Sequence, residues 1–312
     1  MTTLSTSAGS AIRDQVGPAD RARRGYAGRG LLLTSPALLF VLVFVLFPLA
    51  FAVYMSLTNW PLIGPFHFVG VRNYAQIGQD AVFGASVRFT LVYTGIVTVP
   101  ILVVGYALAV LVRANRVGVT ALRTAFFLPF VVGLTTESFM VYLELQPKTG
   151  AVNFVLEKLG LTDGTTGWLV NSVPAIAAVC VLVVWSASGL TMMLLMAGMQ
   201  GIPRELYESA EVDGASWWTR ELRITLPMLR RTIALSLIIS VVGSFLAFNQ
   251  FFILTQGGPD VSTTTVVMWI YEKAFVQLHV GAATALSIIL VVAVGLISLV
   301  QFLLLRDRES EA

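Results

Sequence analysis

An all-α membrane protein of six transmembrane helices is the fold class this sequence predicts, on three observations. The 312 residues are 56% hydrophobic and only 12% charged, whereas a soluble domain needs about a quarter of its residues charged to solvate its surface. The apolar excess is gathered into long blocks, each able to cross roughly 30 Å of hydrocarbon at 1.5 Å per residue. The Lys and Arg residues are distributed unevenly between the segments joining those blocks, and that bias sets their direction.

The blocks lie at 31–57, 88–112, 121–145, 172–199, 231–256 and 281–305. The first runs from Leu31 through Phe47 and Pro48 to Leu57; the last contains no charge. One side of the membrane collects Arg13 to Arg29, then Arg113, Arg116 and Arg123, then Arg204, Arg220, Arg223, Arg230 and Arg231, and finally Arg306 and Arg308. The other side holds Arg72, Arg88, Lys148, Lys158 and Lys273. Fifteen basic residues against five put both termini in the cytoplasm of a multi-pass plasma-membrane protein. Residues 1–30 are polar, without apolar period, and read as a disordered cytoplasmic tail; 31–306 form the transmembrane domain, and 307–312 a second cytoplasmic tail. A cleavable signal peptide is not expected, because the first apolar block is too long for one. No internal repeat is visible.

Composition also excludes functions. The net charge of +3 is spread over short loops, with no basic stripe interleaved with aromatics, so nucleic acid is not an expected partner. Cys180 is the single cysteine; it reads as a small apolar packing residue and allows no intrachain disulfide.

The segment at 200–230 is too long to be a mere return of the chain to the membrane. Pro203 suits the start of a helix, Glu205 to Ala210 continue as good helix, and Gly214 breaks it. Trp217, Trp218, Leu222 and Ile224 then make a second amphipathic piece, which Pro227 ends. By themselves these are two short helices that could simply lie in the membrane interface, aromatics inward and charges outward.

Glu208-Ser209-Ala210, Asp213-Gly214-Ala215 and Ile224-Thr225-Leu226-Pro227 resemble the Glu-Ala-Ala-x-x-Asp-Gly-Ala … Ile-x-Leu-Pro coupling loop of binding-protein-dependent ABC permeases. The sequence departs from that pattern at Ser209, usually Ala, and at Glu221, usually Phe. Ser35-Pro36-Ala37, Phe47-Pro48, Asn59-Trp60, Phe68-Val69-Gly70, Asn73-Tyr74, Phe126-Phe127-Leu128-Pro129 and Gly257-Gly258-Pro259 extend the resemblance, toward carbohydrate-type permeases of the maltose and glycerol-phosphate kind. It implies the type I ABC importer permease fold, with Glu208, Ser209, Ala210, Asp213, Gly214 and Ala215 coupling to a separate ATPase. It also implies a second homologous permease, two ATPase subunits and an extracytoplasmic binding protein, with ATP and Mg on the ATPase and no cofactor on this chain. No Gly-x-x-x-x-Gly-Lys-Ser/Thr phosphate loop is present, so ATP hydrolysis is not expected here.

Polar residues at membrane depth usually face a cavity or a partner. Thr136 and Glu137 in the third span, Trp185 and Ser188 in the fourth, and Ser244, Asn249 and Gln250 in the fifth are therefore the expected solute path. Amides, hydroxyls and aromatic faces are what a sugar needs. Ser240 and Gly243 read first as helix-packing positions. Segments 58–87, 146–171 and 257–280 would meet the binding protein; Asn153 to Leu159 forms a short amphipathic helix there, and Gly257-Gly258-Pro259-Asp260 a turn. His279 reads as an ordinary loop or helix-start residue. An ion-coupled secondary transporter is the alternative, but it gives the loop no role. A membrane enzyme lacks a constellation of catalytic groups, since only His67 and His279 offer imidazole.

Overall fold

A computed structural model describes residues 33–306 of the chain, apart from 62, 115, 116 and 163. The tails read at 1–30 and 307–312, and Arg116, lie outside the described residues. The chain divides into two units at Tyr54/Met55. The first unit carries one apolar helix, α1 (Leu33–Ser56), whose last two residues already belong to the second. A π-helical turn at Leu42–Leu46 runs up to Phe47-Pro48, where the proline has no N–H to continue the ladder.

In the second unit α2 (Arg72–Ile77) precedes the long α3 (Ala81–Val112). Then come α4 (Val119–Val132), α5 (Leu134–Glu144), α6 (Ala151–Lys158) and α7 (Ser172–Gln200). The predicted loop helices are α8 (Arg204–Val212) and α9 (Trp217–Arg220). They are followed by α10 (Arg230–Phe245), α11 (Asn249–Leu254), α12 (Val266–Tyr271) and α13 (Val280–Arg306). Among the described residues five helical stretches are long and apolar enough to cross a membrane: α1, α3, α7, α13 and, taken together across their short break, α10 and α11; the span expected at 121–145 is instead the pair α4–α5, bent by 93°. Gly133 makes the bend with φ +89° and ψ 139°, a conformation glycine adopts without the Cβ clash that excludes other residues.

The core is α7 packed against α3 and α4. Tyr93, Val97 and Ile101 of α3 meet Val179, Leu182 and Val183 of α7, while Ala109 and Val112 meet Met192, Leu195 and Met199 nearer the other end. At Gly189 α7 lies directly on the Phe126 carbonyl and Phe127 Cα, with no room for a side chain; close backbone approach of this kind is how helices associate where lipid removes the hydrophobic drive. Along α3, Ser86, Thr90, Thr94 and Thr98 recur every four residues and all are buried. Thr90 Oγ1 accepts from the Val266 N–H at 3.1 Å, joining α3 to α12.

The start of α3 comes seven residues before the predicted boundary because Asp80 caps it: Oδ1 accepts from the N–H groups of Val82 and Phe83 at 3.0 and 3.2 Å. Its Oδ2 accepts from Trp269 Nε1 at 3.2 Å and pairs with Lys273 Nζ at 3.3 Å, while that ammonium lies over the Trp269 ring. Burial by itself raises the Asp80 pKa, but the Phe83 N–H and Lys273 outweigh it and hold the carboxyl below its ordinary value of 3.8. A depressed folded pKa contributes stability that is present above 3.8 and disappears as pH falls through the lower folded value. Asp80→Asn, which keeps a capping acceptor and removes the charge, is expected to destabilise by about 0.5 kcal/mol at neutral pH. In detergent-solubilised thermal unfolding, the gap to the parent should close below pH 3.8.

Candidate functional site

Two helix breaks at membrane depth define the first half of the site. Gly133 separates α4 from α5, and Leu246 to Phe248 separate α10 from α11, with Phe248 at φ −136°, ψ −61°. Irregular backbone inside a bilayer persists only where it is covered by protein or lines a cavity. Both conditions hold here. Thr265 Oγ1 donates to the freed Ala247 carbonyl at 2.7 Å, and between the two breaks lies a cavity of about 370 Å³.

Its polar lining comes from four helices: Tyr93 of α3, Ser186 and Thr191 of α7, Ser240 and Ser244 of α10, and Gln250 of α11. Gln250 is 2% exposed. Its Nε2 donates to Tyr93 Oη at 3.2 Å, while its Oε1 has no hydrogen-bond partner among the described residues. Tyr93 is itself held edge-on by Phe251, ring centroids 4.9 Å apart. Ser244 Oγ donates to the Ser240 carbonyl at 2.8 Å, which leaves its lone pairs free to accept.

Of the path residues expected from sequence, Ser244 and Gln250 are brought together at this cavity, and the others are not on its wall. Glu137 is buried in the first turn of α5. Ser186, on the cavity wall, is the hydroxyl that interacts with the Glu137 carboxyl. Thr136 beside it is exposed, as is Asn249. Ser188 is buried and donates back to the Val184 carbonyl. Trp185 lines an apolar groove with Trp168, Leu145 and Val181 instead. Ser240 and Gly243, read first as packing positions, do line the cavity, and Tyr93 was not anticipated. A signal for Tyr93 existed: the hydroxyl residues recurring every four positions mark the interior face of α3, on which it lies.

The second half is the helix pair at 200–230. Arg204 starts α8 directly after Pro203. At its end the Gly214 N–H donates to the Glu211 carbonyl and the Ala215 N–H to that of Ala210, at 3.0 and 2.9 Å, with Gly214 at φ +74°. This is the paired closure of a left-handed helix end, and glycine is the residue that takes it at no steric cost. Ser216 Oγ then accepts from the Thr219 N–H at 3.2 Å to start α9. Glu208, Ser209, Asp213 and Gly214 are exposed, and Ala210 and Ala215 half-buried. Val212, 89% exposed, adds an apolar contact point to that surface.

One expectation for this loop is reversed. Trp217, Trp218 and Leu222 face outward, while Glu221 is 2% exposed. A π-helical turn at Glu221–Thr225 follows α9 and swings the carboxylate inward. There it accepts from Tyr106 Oη and pairs with Arg113 Nη2, both at 2.6 Å. The charge that breaks the expected apolar pattern is thus matched by Tyr106 of α3 and by Arg113, the residue that ends that helix.

Residues 85–309 match the family described as binding-protein-dependent transport system inner membrane component. The chain is 32% identical over 276 residues to the multiple sugar-binding transport system permease protein MsmF of Streptococcus mutans, covering 87% of this chain and 93% of that one. It is 30% identical over 282 residues to the sulfoquinovosyl glycerol transport system permease protein SmoG of Agrobacterium fabrum, covering 89% and 91%. The fold resembles the crystal structure of a bacterial ABC transporter involved in the import of the acidic polysaccharide alginate, with a TM-score of 0.80 and 24% identity over 94% of this chain and 99% of that one. These matches and the apolar helices lead to one conclusion: the chain belongs to the binding-protein-dependent transport system inner membrane component family and is a multi-pass permease of the inner membrane.

Proposed function

We propose that this chain is one of two permease subunits of an ATP-driven, binding-protein-dependent importer, forming half of the translocation path for a sugar or sugar-like solute. The observation that carries this reading is the exposed α8–α9 pair, closed at Gly214 and presenting Glu208, Ser209 and Asp213 outward between two long apolar helices. A rigid helix pair at that position converts closure of a separate motor into rocking of the spans. In this reading α4–α5 counts as one bent span, which gives six crossings of the type I importer kind. The excess of Arg beside α8–α9 supports a cytoplasmic position for that face and for both termini.

The solute class is supported by the names of the relatives, which concern sugars and a sugar glycerol, and by the cavity chemistry. Hydroxyls, an amide and an aromatic edge around about 370 Å³ suit an uncharged polyhydroxy solute. Glu137, buried beside Ser186 of the cavity wall, joins this path as an acceptor for solute hydroxyls. ATP and Mg act on two partner ATPase chains, and an extracytoplasmic binding protein delivers the solute. In proteoliposomes, uptake of radiolabelled oligosaccharides is expected only when ATP, the ATPase, the second permease and the binding protein are all present. Uptake driven by an ion gradient in this chain alone would overturn the reading.

A further inference from the structure

The buried carboxylate of Glu221 has a role that the α8–α9 surface does not explain. Its two partners are Tyr106 of α3 and Arg113, the helical-backbone residue that caps the end of α3, and seven residues of spacing put them on one face. Each reaches one carboxylate oxygen at 2.6 Å. The end of α3 is fixed in turn by Arg123 of α4, whose Nε and Nη2 donate to the Val112 carbonyl at 3.0 and 2.7 Å. On the loop side, Tyr207 of α8 is hydrogen-bonded to Thr225 of the same π-helical turn at 2.9 Å. An unbroken chain of contacts thus runs from α8 through Thr225 and Glu221 into α3. Tyr93, on the wall of the cavity, stands thirteen residues nearer the start of α3, about 20 Å away on the same helix, with Pro100 between the two tyrosines.

We propose that Glu221 is a positioning residue that fastens the α8–α9 pair to α3, so that displacement of the pair reaches the cavity wall through that helix. The proposal rests on the reading of α8–α9 as the coupling element. The carboxylate is a directional tie, hydrogen-bonded by Tyr106 at one oxygen and ion-paired with Arg113 at the other: removing Arg113 leaves a buried charge uncompensated, and removing Tyr106 takes away a hydrogen bond only.

The test uses the assembled transporter in proteoliposomes, in a Cys180→Ser background carrying Gly243→Cys as a reporter. Position 243 lines the cavity, and a Cβ there meets nothing within 4 Å. The readout is the rate of modification of that thiol by a small maleimide, without nucleotide and with ATP plus vanadate. In the parent the two rates should differ. Glu221→Gln should reduce that difference by about tenfold with the ATPase still bound, and Tyr106→Phe, which strands no charge, by about threefold. The exchange Glu221→Arg with Arg113→Glu should restore it. A parent response that survives intact in Tyr106→Phe and in Glu221→Gln overturns the proposal, as does an exchange variant that assembles without recovering the response. A parent that neither retains the ATPase nor responds to nucleotide overturns the coupling reading itself, a separately recognisable result.

Discussion

Glu208→Arg is expected to lower ATP-driven uptake by at least about tenfold while leaving insertion and thermal stability unchanged. Glu208 is exposed and makes no packing contribution that the reversal would remove, and exposed substitutions ordinarily shift stability by no more than about 0.5 kcal/mol. A surface whose only work is to meet another protein behaves differently, because placing a like charge against a complementary patch costs several kcal/mol. Gly214→Val probes the same surface through the backbone. A Cβ at 214 meets no atom within 4 Å, so the whole effect comes from φ +74°, which a β-branched residue resists. The strain opens the closure between Gly214 and Glu211 and changes the angle at which α8 leaves α9. Uptake and co-purification of the ATPase should fall together in both variants. Full uptake in either variant would remove the coupling function from this loop.

Gln250→Met should reduce uptake by about tenfold at limiting solute yet leave the unfolding midpoint close to the parent's. The substitution loses the bond to Tyr93 Oη, worth about 1 kcal/mol. It also removes a buried carbonyl oxygen that has no partner among the described residues, a relief of comparable size. Stability therefore nearly cancels, whereas the cavity loses the one side-chain amide among the described residues that line it. Ser244→Phe, which fills the same space, should give the same loss of uptake. If both variants transport normally, the solute passes elsewhere, and Glu137→Gln would be the next position to measure.

Much of this fold was legible in the chain. Apolar block length located α3, α7 and α13 to within a few residues at most ends, because the bilayer thickness demands it. The hinge of the loop was legible at Gly214 for a local reason: a left-handed helix end is a property of a few adjacent residues. The bend at Gly133 was not, since a glycine inside an apolar run is equally compatible with a continuous span, and only the packing of α5 against its neighbours selects the broken form. Trp185 and Gln250 show the same limit in the site. Both are polar-tipped residues in apolar helices, yet one lines an outer groove and the other the cavity.

The sequence by itself determined that the protein lives in a membrane and where a glycine closes two short helices. Tertiary structure alone decided which face of each span is interior, and so which hydroxyls and amides meet. It joined Gln250 to Tyr93 and Glu221 to Tyr106 across 157 and 115 residues of chain. The reason is physical: lipid tails and a packed protein interior are equally apolar, so hydropathy says that a helix is buried in the bilayer but not which side faces protein.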